Sequence, residues 1–274
     1  MFVGFLTSGQ LGDLRRTLEW AEAKGFKSIS IGTGPESSFF NVKEVVSNPI
    51  PVKDALGSSK TIISAIGFYG NPIDPVEEKR RVAKDFFKDL IEAAYRIEVP
   101  VVTGWIGLQP GSVEDNIREI GKTWPEIMNL AEERGIKIAI ENCPGNIAYR
   151  PDIWRRIFET IPSRNLGLEF DPSHLICQMI DAVKTADDFG DRIYHTHIKD
   201  AQILWDRVAE NGIRSEGWCP HRLPGFGELD WADFITILRK HNYDYALSIE
   251  HEDPFYGYEE GFIVAKKFLE QFLP

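Results

Sequence analysis

IKIAIE (136–141), NLGLEFD (165–171), RIYHTHI (192–198) and YALSIE (245–250) are short runs that read as β-strands, and each carries a carboxylate or an imidazole at its carboxyl end. These residues are Glu141, Asp171, His197 and Glu250. The segments between the runs have helical periodicity, so the order is strand then helix, repeated, as in a parallel sheet whose strands are joined by helical crossovers. Three carboxylates and one imidazole then converge on one end of the sheet. Buried carboxylates cost several kcal/mol each unless paired or coordinated, so such a set is expected to hold a divalent metal.

The same alternation extends towards the amino terminus. FVGFLT (2–7), KSISIG (27–32), TIISAIGF (61–68) and VPVVTG (99–104) read as four further strands. Leu14, Leu18 and Ala21 form one helical stripe closed by Gly25; Val82, Phe86, Leu90 and Ile97 form a second. A third, Ile117, Ile120, Trp124, Ile127 and Leu130, ends at Gly135, and Phe262, Ala265, Leu269 and Phe272 form the closing one. Pro35, Pro49, Pro51 and Gly57 break the second crossover into a loop with short helical pieces. A long loop is expected over 199–228, before a helix begun by Asp230.

Eight strand signals and about eight crossovers, with no linker, predict a single (β/α)8 barrel domain over residues 1–274. An open doubly wound sheet is the rival, but no GxGxxG or Walker pattern follows the first strand. Period-two alternation places Glu169 with Asp171, and His195 with His197, on the inward face, while Leu168 and Phe170 turn to the helices.

With 31 basic and 42 acidic residues the net charge is −11, and no basic run exists to hold a nucleic acid or a membrane surface. Cys143, Cys177 and Cys219 are three widely spaced cysteines without a CxxC, indicating neither a disulfide framework nor a thiolate zinc site. The amino terminus lacks the basic and apolar regions of a signal peptide, and no uninterrupted apolar stretch reaches the roughly 18 residues of a membrane span. The expected compartment is the cytoplasm, and the expected partner is a small uncharged or polar molecule; a homo-oligomer stays open.

The segments IAIENCPG, GLEFDPSHL, IYHTHIKDA, PGFGELDW and LSIEHEDP resemble the sugar phosphate isomerase/epimerase family of xylose isomerase-like barrels, which includes tagatose 3-epimerase and the inosose isomerases and dehydratases. The likeness runs from the third strand to the end and is strongest over 136–254. It implies Glu141, Asp171, His197 and Glu250 as metal ligands, the two glutamates doubling as acid and base, and His174 touching substrate or metal. Oxygen donors with one imidazole suit Mn²⁺ first, then Mg²⁺, Co²⁺ or Zn²⁺. Such a metal chelates two neighbouring oxygens of a sugar and acidifies the adjacent C–H. Proton transfer by opposed glutamates gives epimerisation or isomerisation; expulsion of a β-substituent gives a dehydratase or lyase instead. Endonuclease IV-type DNA repair shares the barrel lineage, but only six histidines and the acidic charge set it last.

Other residues have both a functional and a packing reading. Arg222, between Trp218 and Phe226, is a candidate clamp on a sugar or carboxylate. Trp105 and Phe68 at strand ends are candidates for stacking on a sugar face, and Asn71 for lining the pocket. Asn142, His195, Glu169 and Asp200 are expected to orient the ligands from behind. Lys199 reads as solvated and Cys143 as packing. With no phosphate-cradling glycine loop or Arg/Lys cluster, an unphosphorylated carbohydrate is the expected substrate.

Overall fold

In the computed structural model, which describes residues 1–273, strand and helix alternate from the first residues onward. The chain begins β1 (Phe2–Thr7), α1 (Leu14–Ala23), β2 (Ser28–Gly32), α2 (Val42–Ser47), α3 (Ile50–Gly57) and β3 (Ile62–Phe68). It continues through α4 (Glu77–Arg96), β4 (Val101–Gly104), α5 (Val113–Arg134), β5 (Lys137–Glu141), α6 (Pro151–Thr160) and β6 (Leu166–Phe170). Next come α7 (Pro172–Ile176), α8 (Ala182–Phe189), β7 (Ile193–Ile198), β8 (Asp200–Ala201) and α9 (Trp205–Asn211). It closes with β9 (His221–Arg222), α10 (Trp231–Lys240), β10 (Ala246–Ile249) and α11 (Tyr258–Leu269). Strands β1 to β7 pair in sequence order, and β10 closes the ring between β7 and β1, giving a barrel of eight parallel strands.

Local chemistry explains the outer layer. On α5, Ser112 and Asp115 form a reciprocal capping box, and Gly135 ends the helix at a left-handed φ of 69°. Between these stops Ile120, Trp124, Ile127 and Ala131 recur at helical spacing and are fully buried. Burial of each large side chain stabilises the layer by about 1.5–3 kcal/mol. Inside the ring, Ser30 and Ser248 share a hydrogen bond of 2.7 Å, and Ala65, Val101 and Ala139 form a layer of small side chains. This filled lower barrel leaves the carboxyl ends of the strands as the place for a site.

Four expectations need adjustment. Val82, placed on the buried stripe of α4, is 42% exposed near the helix start. The 199–228 segment is not a plain loop: β8 and β9 form an antiparallel ribbon, with α9 between them. Asp171 and Glu250 each fall one residue beyond their strands, Asp171 because Pro172 stops β6 and opens α7, which Asp171 caps. The expectation of unpaired cysteines is corrected: Cys177 and Cys219 form a disulfide, and Cys143 is free. Their separation of 42 residues carries no local signature, but the fold sets the end of α7 against the chain entering β9, with Cα atoms 5.6 Å apart. No helix among the described residues is long and apolar enough to cross a membrane.

Candidate metal centre

One ligand atom each from Glu141, Asp171, His197 and Glu250 lies within 4.8 Å of the other three, at the carboxyl ends of β5, β6, β7 and β10. His197 is the hub. Its Nδ1 stands 2.8 Å from Glu141 Oε1 and 3.3 Å from Glu250 Oε2, while its Nε2 lies 3.1 Å from Glu169 Oε1. A ring with Nδ1 towards the carboxylates and Nε2 towards a buried acid is the usual posture of a ligating histidine. Asp171 completes the set: its Oδ1 accepts from Ser173 N and Oγ, whereas Oδ2 is buried without a hydrogen-bond partner among the described residues. Lys199 Nζ at 3.2 Å and His174 Nε2 at 3.4 Å are its neighbours. An ion-paired carboxylate oxygen left without a hydrogen bond, together with the hard donor set, fits a divalent cation.

The electrostatics follow from burial. Desolvation opposes charge on His197, yet Glu169, Glu250 and Glu141 hold its pKa well above the ordinary 6.5. Burial likewise works against an ionised Glu250, but His197 and Lys199 keep it well below the usual carboxylate range. Glu169 is held at about 2 in the same way, against burial, by His197 and His195.

The surroundings sort the other expected residues. Trp105 donates from Nε1 to Glu141 Oε2 at 2.7 Å, and buried His174 lies against Asp171 and Glu141. Asn142 exchanges two hydrogen bonds of 2.7 Å with the Asp171 backbone, pinning that residue to the end of β5. His195 Nδ1 meets Glu169 Oε1 at 2.9 Å, one layer below His197, and its Nε2 meets Ser64 Oγ at 3.2 Å. Phe68 packs edge-on against Phe86 and Phe87 and also lines a cavity at the barrel mouth.

Three of the expected residues make hydrogen bonds within the surrounding loops. Asn71 spends its amide on the backbone of Leu108 and Ile73. Asp200 accepts from the backbone of Ala201, Gly225, Gly227 and Leu229 and from Trp231 Nε1, knotting the chain after the ribbon. Arg222 pairs with the buried Asp253 at 2.9 Å, reaches Gln202 and lies over the Phe255 ring.

Glu252, His221 and Tyr69 at the mouth escape the sequence reading, which also misplaces Lys199. Lys199 is 1% exposed, its Nζ 2.7 Å from Glu250 Oε2 and 2.8 Å from Glu252 Oε2, which corrects the solvated reading. Glu252 also meets His221 Nδ1 at 2.6 Å, and the Tyr69 hydroxyl donates to Glu169 at 3.1 Å. The spacing of HIKD held a clue to Lys199, since His197 and Lys199 are two apart on one strand end. The cavity beside Glu250, of about 440 Å³, is lined by Ser8, Thr33, Ser37, Phe68 and Tyr69 among others.

Residues 18–268 match the xylose isomerase-like TIM barrel family, and the chain belongs to it. Among its relatives are the uncharacterized protein YfiH of Bacillus subtilis, 25% identical with 93% of each chain covered, and an uncharacterized protein of Methanocaldococcus jannaschii, 29% identical over 67% of this chain. An inosose dehydratase of Clostridium perfringens is 24% identical over 58% of this chain. The matches span 61% of the M. jannaschii protein and 54% of the dehydratase. In structure the chain is similar to the IolI protein with a bound zinc atom, at a TM-score of 0.77, 20% identity and 99% and 96% coverage of the two chains. A D-tagatose 3-epimerase-like protein matches at a TM-score of 0.77, 21% identity and 100% and 97% coverage.

Proposed function

We propose that the protein is a metal-dependent sugar isomerase or epimerase acting on an uncharged keto-sugar or related polyol. The observation that carries this reading is the placing of Glu141 and Glu250 about one imidazole, 2.8 Å and 3.3 Å from His197 Nδ1. Glu141, Asp171, His197 and Glu250 would hold the cation; the donor set favours Mn²⁺, and IolI supports testing Zn²⁺ alongside it. Bound there, the cation would supply chelation of neighbouring sugar oxygens and Lewis acidity at the carbonyl.

Glu141 and Glu250 then remove and return the proton on the carbon beside that carbonyl. Trp105 holds Glu141 Oε2 and Lys199 holds Glu250 Oε2, so each carboxylate has a fixed orientation. Hydroxyls from Ser8, Thr33 and Ser37 and the rings of Phe68 and Tyr69 suit the polar edges and C–H faces of a sugar. The ammonium of Lys199 is committed to carboxylates, which supports an unphosphorylated substrate.

A second outcome from the same residues is dehydration by β-elimination. The inosose dehydratase relatives support it, each matched over roughly half its length. The test is NMR in D₂O with a panel of ketoses, inososes and 3-keto-glycosides in the presence of Mn²⁺ or Zn²⁺. The expected result is deuterium at the carbon next to the carbonyl, or an enone after elimination, with turnover down ~10²-fold or more in Glu141→Gln and Glu250→Gln. Normal turnover in both variants with metal bound contradicts the two-glutamate reading.

A further inference from the structure

We infer that His221 is the group that moves the substrate's oxygen-bound proton, while Glu141 and Glu250 handle the carbon-bound one; this rests on the proton-abstraction reading above. The ribbon places it. Ala201 of β8 is in register with His221 of β9, so the strand that leaves the ligand His197 carries the imidazole back over the same end of the barrel. The His221 ring lies edge-on to His174 with centroids 5.4 Å apart, and His174 Nε2 is 3.4 Å from Asp171 Oδ2. One imidazole therefore separates His221 from the ligand cluster.

Its orientation is fixed from behind. Nδ1 is 2.6 Å from Glu252 Oε2, which accepts from Lys199 Nζ at 2.8 Å, and that ammonium also holds Glu250 at 2.7 Å. A base oriented by a carboxylate, itself oriented by a third group, is the arrangement of imidazoles that transfer protons in catalysis. Nε2 makes no hydrogen bond among the described residues, whereas both nitrogens of His195 and His197 are engaged in the barrel. The His221 side chain is 27% exposed against 9% for His174, so it is the more open imidazole of the pair.

Proton accounting gives the residue a task. In dehydration a glutamate takes the C–H proton, the electron pair forms the C=C bond as the β-C–O bond breaks, and Nε2–H of protonated His221 gives its proton to the departing oxygen, which leaves as water. The neutral imidazole then recovers a proton from solvent, and the protonated glutamate gives one up to it. In aldose–ketose isomerisation the same nitrogen takes the proton from one oxygen and returns it to its neighbour. Epimerisation at a single carbon needs no such transfer, so the assignment favours the isomerising and dehydrating outcomes over epimerisation.

The experiment compares wild type, His221→Ala and His221→Asn, loaded with Mn²⁺ or Zn²⁺, on a panel of ketoses and inososes in D₂O. NMR follows carbon-bound exchange and net conversion separately. The expected result is exchange close to wild type, conversion lower by ~10²-fold or more, partial recovery of His221→Ala with added imidazole, and unchanged metal content. In the wild type, diethyl pyrocarbonate should acylate His221, mapped by mass spectrometry, and a converted sugar should shield it. Conversion at the wild-type rate in both variants overturns the assignment. So does a parallel fall in exchange and conversion with metal retained, or acylation indifferent to the sugar. Absence of exchange in the wild type on every sugar overturns the proton-abstraction reading itself, a failure distinct from losing His221 alone.

Discussion

Glu169 Oε1 stands 3.1 Å from Nε2 of His197, on the opposite side of the ring from Glu141. This buried acid, also held by Tyr69 and His195, fixes which nitrogen of His197 faces the ligand cluster. Glu169→Gln keeps the shape but lets the ring adopt either tautomer. Mn²⁺ or Zn²⁺ affinity, measured by isothermal titration calorimetry, should fall about 10- to 100-fold. Unchanged affinity would remove Glu169 from the metal centre's support.

The same carboxyl gives the metal-free protein an acid-sensitive element. Its pKa in the fold is about 2, lowered from 4.5, so its stabilising contribution is complete above pH 4.5 and is lost as pH falls towards 2. Denaturant melts of wild type and Glu169→Gln across that window should show the stability gap between them narrowing as pH drops. A constant gap is the contrary result.

Lys199 tests the charge balance of the mouth. Its ammonium faces Asp171, Glu250 and Glu252, and it is 1% exposed. Lys199→Met leaves those carboxylates to repel one another and should destabilise the metal-free protein by about 3–5 kcal/mol, the cost of breaking a buried pair. A cation at the four ligands replaces part of the lost charge. Calorimetry should therefore show a larger rise in Tm on adding Mn²⁺ or Zn²⁺ to the variant than to wild type; equal rises would count against this balance.

The Cys177–Cys219 bridge ties the end of α7, just after Asp171 and His174, to the chain entering β9. Peptide mapping of the oxidised protein without reductant should recover this pair and a free Cys143. Cys177→Ser with Cys219→Ser should lower stability by about 2–4 kcal/mol in denaturant melts under the same conditions. A full complement of free thiols in the oxidised wild type contradicts the pairing.

What the sequence discloses follows from the range of each signal. The barrel and its four strand-end candidate ligands are local: inward alternation, Gly135 and Pro172 as stops, and carboxylates closing short runs can all be read within a few residues. Glu169 and His195 also fall to the inner face by period-two counting, and they meet there at 2.9 Å. The rest depends on tertiary neighbours. Lysine is solvated by default, and only the convergence of Glu250 and Glu252 on β7's exit makes Lys199 a buried cation. Cys177 finds Cys219, and His221 finds Glu252, because a two-stranded ribbon folds back over the mouth, and its strands are too short to have a periodicity. Arg222 and Asn71 carry the chemistry of substrate binding, and their contacts with Asp253 and the Leu108 backbone are likewise set by tertiary neighbours.

We propose that Glu141, Asp171, His197 and Glu250, whose ligand atoms cluster within 4.8 Å, together hold one divalent cation. Elemental analysis of the purified protein after equilibration with Mn²⁺ or Zn²⁺ and removal of free ion tests it most directly. The predicted result is about one metal per chain in the wild type and loss of that metal in both Asp171→Asn and His197→Gln, with circular dichroism showing each variant folded. Full metal occupancy in both folded variants would contradict the ligand set.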